Sequence, residues 1–442
     1  MNPLKKNLDW VVTFPILFTL LVVFSVLGKN IPLSDGIRYW ETAGDFLNGF
    51  SQKKILESYL LTNGPIYPLI LSLFRGMGFG VKACILLNAV FIYTASVYFF
   101  KLLRNYLNLK KSLLFTYLLL LVDPFLFYWG AKLYSEPLSI LFVCLFLYTA
   151  HLFFLKKLKK HLYLAALFLG LLALTRVIFG YVIPVLFSLY LILFLLNKQK
   201  KIYLEFAKLH LVAFFITIPY LIFTYNITQK VFFWSDNGGM LLYWTASPHK
   251  TDLGEWHIFN FDSLKDHFAN RYNQFSGLDS IHLRNVNDLI LDKMKSDHTP
   301  FIDTLEGLNR LEFDSRLKEM ALANIQNHPT NFFRNWLLNT GRLMIGYPHA
   351  LYFKPPYSPV FSLLNILKSS LLLFLFLASI LLYLLKKSYW NHWLTYVILF
   401  LGVFLGGQSL LAVQSQRFLL PIYAPMIFII SVIFGKYVKI SK

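Results

Sequence analysis

Five ionisable residues in this chain have the types and settings to carry chemistry: Asp35, Arg38, Glu136, Arg176 and Arg417. Each stands at or just beyond the end of a strongly apolar stretch, where a charge is costly and is usually kept for function. Arginine presents a rigid fork of donors that suits phosphate oxygens. A carboxylate can take a proton from a hydroxyl as that hydroxyl attacks a carbon bearing a phosphate leaving group. Charge developing on the departing phosphate would then fall to the arginines. The set therefore suits group transfer from an anionic lipid, with Asp35 and Glu136 as the candidate acids and Arg176, Arg417 and Arg38 as candidate phosphate contacts. Tyr39, Tyr67 and Asp123 are further candidates. The nearest bland reading of Tyr39 and Tyr67 is an interfacial aromatic belt. For Asp123, before Pro124, it is a residue that satisfies local backbone groups.

The elements that must position these residues are apolar helices. Of 442 residues, 57% are hydrophobic and 14% charged, and the mean hydropathy is +0.55, a balance foreign to water-soluble domains. A bilayer core demands about 20 apolar residues per helix. Ten stretches approach that length: Trp10–Leu27, Val81–Phe100, Leu113–Gly130, Pro137–Leu155, Leu162–Leu174, Val177–Leu196, Glu205–Tyr225, Phe361–Leu385, His392–Ala412 and Phe418–Phe434. Ile66–Phe74 is too short to cross and reads as a half-helix. The expected fold is thus an all-α polytopic membrane protein of about ten spans. Its expected parts are 1–225 with a first outer loop 28–80, a mostly helical extracytoplasmic insert 226–360, and a last helical part 361–442.

The net charge of +20 is a topological signal. Alternate connections hold basic clusters such as Lys5-Lys6, Lys110-Lys111, Lys156-Lys157 with Lys159-Lys160, and Lys386-Lys387. The short opposite turns hold only Lys132, Arg176 and Arg417. By the positive-inside rule the clusters are cytosolic and Asp35, Glu136, Arg176 and Arg417 share the outer face. The surplus suits anionic lipid head groups and leaves no reason to expect nucleic acid. The insert 226–360 holds 14 of the 22 acids against 13 Lys and Arg, so it is nearly neutral. Its 301–325 stretch has apolar residues at helical spacing. Cys84 and Cys144 fall inside spans as apolar residues. The insert's histidines, His249, His257, His267, His282 and His298, lack the spacing of a metal site. No cofactor is expected, with a divalent metal left open.

Six short motifs, in order, resemble glycosyltransferase superfamily C, in particular the bacterial protein O-mannosyltransferases and lipid A aminoarabinose transferases. They are Asp35-x-x-x-Tyr39, Gly64-Pro65-Ile66-Tyr67-Pro68-Leu69, Tyr134-Ser135-Glu136-Pro137-Leu138, Leu174-Thr175-Arg176, His328-Pro329 and Arg417-Phe418-Leu419-Leu420-Pro421. Two positions depart from the family's pattern: Gly36 follows Asp35 where many members have a second acid, and Asn63-Gly64 replaces His/Lys-Pro. The resemblance implies the superfamily C fold in a multi-pass protein of a bacterial cell membrane. It also implies a polyprenyl-phosphate sugar donor, a glycan, lipid or protein acceptor outside the cytosol, and Asp35 as general base. Two rivals stand beside it, an O-antigen polymerase or ligase and a lipid-linked sugar flippase. The first-loop acid argues against the former, and the scarcity of mid-membrane polar residues against the latter.

Overall fold

A computed structural model describes residues 3–49, 59–123, 125–263, 265–266, 278–351, 359–412, 415–435 and 437. Among them the regular structure is helical, with no strand. Among the described residues eight helices are long and apolar enough to cross a membrane: Asp9–Leu27, Val81–Leu103, Glu136–Lys156, Ile178–Leu196, Lys201–Thr228, Leu363–Leu385, His392–Ser409 and Gln416–Phe434. The sequence reading had ten. Its fifth is a helix of 17 residues, Lys159–Thr175.

Its third, Leu113–Gly130, is broken. One helix ends at Leu121 and a six-residue helix, Phe125–Gly130, follows. The cause is local. Proline has no N–H to give the helix ladder and disfavours helical backbone at the residue before it, and residue 124 is proline. Asp123 then accepts the Phe125 N–H at 3.1 Å.

The chain forms two compact units. The first comprises Met1–Ser235, Phe374–Phe404 and Arg417–Lys442, and the second Asp236–Leu373 and Leu405–Gln416. In the first, α1 (Pro3–Leu27) leads through an extended link to α2 (Asp35–Asn48) and the short α3 (Ile66–Gly76). Then come α4 (Val81–Leu103), α5 (Leu109–Leu121), α6 (Phe125–Gly130), α7 (Glu136–Lys156), α8 (Lys159–Thr175), α9 (Ile178–Leu196) and α10 (Lys201–Thr228). Helix α7 packs against α4 and α8 and lacks a polar face. It is an inner helix, 72% buried over its apolar window against 22% for α1. Proline is tolerated in the first helical turn, so Pro137 starts α7 cleanly and fixes Glu136 at its N-terminus. Cys84 and Cys144 are free and buried.

In the second unit α11 (Gly238–Thr245), α12 (Leu278–Ile302), α13 (Arg310–Asn327) and α14 (Pro329–Ile345) surround a core that includes Tyr243, Trp244, Leu291, Met294 and Leu317. The helical spacing read over 301–325 merges two elements. Gly307 adopts φ +80°, a conformation open to glycine. Asn309 and Glu312 then form a capping box that starts α13 afresh. Inside, His298 bridges the Tyr243 hydroxyl at 2.7 Å and Asp252 at 2.8 Å. His267 lies outside the described residues.

Candidate active site

Asp35 is the first residue of α2, after Ser34, whose φ is +52°. That sharp entry brings Gly36 against the 133 backbone: a Cβ there would lie 3.3 Å from both Leu133 Cβ and Leu133 O. Segment 131–135 in turn carries Tyr134 and Ser135 and leads into Glu136. Two stretches a hundred residues apart in sequence are thus held side by side at the head of α2.

The charged groups converge there. Arg417 Nη2 lies 2.8 Å from Asp35 Oδ2, and its Nε lies 3.0 Å from Glu136 Oε1. Arg176 Nη1 donates to the same Glu136 oxygen at 3.0 Å. Arg38 Nη1 stands 3.9 Å from Asp35 Oδ1, one helical turn on, with its guanidinium over the Tyr59 ring. Glu136 is 1% exposed, so its charge depends on the two arginines. Asp35 keeps 36% of its side chain open. With all five groups ionised the cluster carries one net positive charge, the sign an anionic donor requires.

Aromatic rings complete the walls. Arg417 stands 4.7 Å from the Tyr134 ring centre, 5.3 Å from Phe418 and 5.6 Å from Trp129. Arg176 stands 5.1 Å from Phe418. Such faces attract a guanidinium while excluding water.

Burial works to raise the Asp35 pKa, but Arg417, with help from Arg38 and Arg176, outweighs it and holds the carboxyl below its ordinary value. Asp35 is therefore ionised at neutral pH. Tyr39 is the opposite case: burial, then the neighbouring Glu136, push its phenol up to about 12. Its hydroxyl stays protonated and shares a hydrogen bond of 2.9 Å with Ser135 Oγ.

Tyr39 and Tyr67 are 6% and 0% exposed, which corrects their reading as interfacial belt residues. They meet edge to face at 5.2 Å. Tyr67 donates to Asn88 Oδ1 at 3.2 Å, and Asn88 donates to the Lys132 carbonyl at 2.7 Å. The pair thus braces α2 and α3 against the segment before Glu136. Asp123 lies apart from this cluster: Tyr423 donates to it at 3.3 Å and the void beside it measures about 10 Å³, no more than one water needs.

The motif Gly64-Pro65-Ile66-Tyr67-Pro68 has a place in this geometry. A Cβ on residue 64 would lie 2.2 Å from the Leu174 carbonyl oxygen and 2.8 Å from the Thr175 carbonyl carbon. Only glycine permits that approach to the turn that carries Arg176. Sequence reasoning missed Trp129 and Phe418 as walls and Asn88 as a brace. Phe418 carried one visible signal, its place beside Arg417; Trp129 and Asn88 carried none.

A family model described as dolichyl-phosphate-mannose-protein mannosyltransferase matches residues 62–223. The matched region holds the Gly64, Glu136 and Arg176 motifs. Asp35 and Arg417 lie outside it. Among solved structures, the crystal structure of ArnT from Cupriavidus metallidurans bound to undecaprenyl phosphate is similar at 10% identity and a TM-score of 0.39, over 99% of this chain and 79% of that one. No curated protein matches the chain.

Proposed function

We propose that this protein transfers a sugar from a polyprenyl-phosphate donor to a glycan, lipid or protein acceptor outside the cytosol. The observation that carries the reading is Arg417 held between Asp35 and Glu136 at 2.8 and 3.0 Å, with Arg176 on the same Glu136 oxygen. Asp35 is the one acid of the pair that is open to solvent, and so the one an acceptor hydroxyl can reach.

Asp35 takes the proton of the acceptor hydroxyl as its oxygen bonds to the anomeric carbon. The bond from that carbon to the phosphate oxygen breaks, its electron pair goes to phosphate, and polyprenyl phosphate leaves. Arg417 and Arg176 meet the charge that develops on the leaving group, worth several kcal/mol in a partly dry site, and Arg38 adds a third cation at the rim. Glu136 is a positioning residue: it is buried, accepts a hydrogen bond from Arg176 and pairs in charge with Arg417, and it sets their forks without touching the acceptor. Donor phosphate competes with Asp35 for Arg417, so donor binding unmasks the base.

The test incubates purified protein in nanodiscs with a panel of polyprenyl-phosphate sugars and scores release of free polyprenyl phosphate with acceptor glycosylation. Release with at least one donor, dependent on Asp35, supports the reading. Movement of intact lipid-linked sugar across a membrane with no release from any donor would replace it with a flippase.

A further inference from the structure

Beside the acid–arginine cluster lies a second concavity that the transfer chemistry does not use. It has a volume of about 130 Å³ and is bounded by the end of α1, the 29–33 link, the start of α4 and the 128–133 segment. Its walls are apolar, from Leu27, Ile31, Val81, Ile85 and Leu133 among others, and the charged groups on its lining are Lys29 and Lys132, with no carboxylate. That volume is room for the phosphate end of an amphiphile whose chains lie outside the concavity. Lys29 is exposed, two residues past the last residue of the first span, so the concavity opens where a bilayer's head groups begin.

Among the described residues Lys132 has no carboxylate partner there. Its ammonium donates to the Tyr128 hydroxyl at 2.8 Å and stands 4.0, 5.0 and 5.8 Å from the ring centres of Tyr128, Trp129 and Tyr134. Two of those rings also face Arg417. The two lysines reach it from separate connections, Lys29 from the link after α1 and Lys132 from the segment before α7.

We propose that this concavity is a binding site for one anionic phospholipid of the surrounding bilayer leaflet. Its phosphate lies between Lys29 and Lys132, and its chains run along the exposed apolar flank of α1. Charge complementarity selects the occupant: two lysines with no acid favour an anionic head over a zwitterionic one. A lysine near an anionic head group is worth roughly fivefold in affinity. Occupancy also steadies the segment that holds Tyr134 against Arg417.

The test is native mass spectrometry of the full chain in detergent at low ionic strength, titrated with phosphatidylglycerol or phosphatidylcholine. The wild type is expected to bind a first phosphatidylglycerol at least about tenfold more tightly than phosphatidylcholine. That preference should vanish in Lys29→Gln/Lys132→Gln and survive in Lys29→Arg/Lys132→Arg. Lys29→Gln alone, at an exposed position, should lose part of it, and decides the matter if the double variant does not fold. An unchanged preference in the glutamine variants overturns the proposal. So does one-for-one displacement of phosphatidylglycerol by polyprenyl monophosphate, which would give the site to the donor's carrier. The readout is binding alone, so it stands or falls apart from the transferase reading.

Discussion

Arg417 Nη2 stands 2.8 Å from Asp35 Oδ2, which pairs the proposed base with the proposed phosphate ligand while both wait for substrate. The contact sets a pH dependence. Burial favours the neutral carboxyl, and Arg417 reverses that. The acid limb of the kcat/KM profile should therefore lie below the ordinary carboxylate range, with activity flat from about pH 5 to 7. Removing Arg417 as Arg417→Gln leaves burial dominant, so the limb of the residual activity should move to higher pH. A limb that stays in place would show that Asp35 is not the group being titrated. The same lowering makes Asp35 a stabilising charge above its unfolded value near pH 4, lost as pH falls through the folded value. Solvent weakens that contribution at a side chain this open.

Glu136 is expected to behave as a buried keystone. Breaking one side of a buried ion pair costs on the order of 3–5 kcal/mol, and Glu136→Gln leaves Arg176 and Arg417 facing each other without their shared carboxylate. Thermal unfolding in nanodiscs should show a large fall in Tm for Glu136→Gln. The double variant with Arg176→Gln should lose less than the sum of the singles, because the two share one partner. An unchanged Tm for Glu136→Gln would mean that the arginines are held by something else.

Gly64 should not accept a side chain. The 2.2 Å approach of its would-be Cβ to Leu174 O predicts overpacking worth about 1–3 kcal/mol for Gly64→Ala. Backbone is what must yield, so Arg176 moves with it and the KM for donor should rise. Gly402→Ala is the control, since a Cβ at that helical site meets nothing within 4 Å. A Gly64→Ala protein with wild-type KM would detach the motif from the Arg176 turn.

The orientation of the chain is open to direct measurement. The alternation of basic clusters predicts Ser263 outside and Lys387 inside. Single cysteines at these positions, in a background with Cys84 and Cys144 replaced, should label from outside at 263 only with an impermeant thiol reagent. Labelling of both from outside would overturn the topology.

The convergence of Asp35, Glu136, Arg176 and Arg417 was legible in the sequence, because charge bias assigns turns to faces and each residue ends an apolar run. The helical class was legible for the same reason. What spacing could not show is which charge pairs with which. Glu136 and Arg417 are neighbours only because α7 and the segment before the last helix, Tyr423–Phe434, start at one place. Nor could it show that Asp123 is taken up by Tyr423, 300 residues away. The break at 121–125 was in view as a proline, but hydropathy averages across a single residue and joined the two helices. The merging of 301–325 has the same origin: an apolar period survives a glycine turn that the backbone does not.

The central claim is that Asp35 is the base of a sugar transfer, and Asp35→Asn tests it most directly. The substitution keeps size and shape and removes the proton acceptor. The measurement is turnover of polyprenyl-phosphate sugar by Asp35→Asn in nanodiscs, with thermal stability and donor binding measured on the same sample. General-base assistance is worth roughly 10²–10⁴-fold, so turnover should fall by at least about a hundredfold in a protein that still folds and still binds donor. A stable Asp35→Asn protein that turns over within a few-fold of wild type would contradict the account.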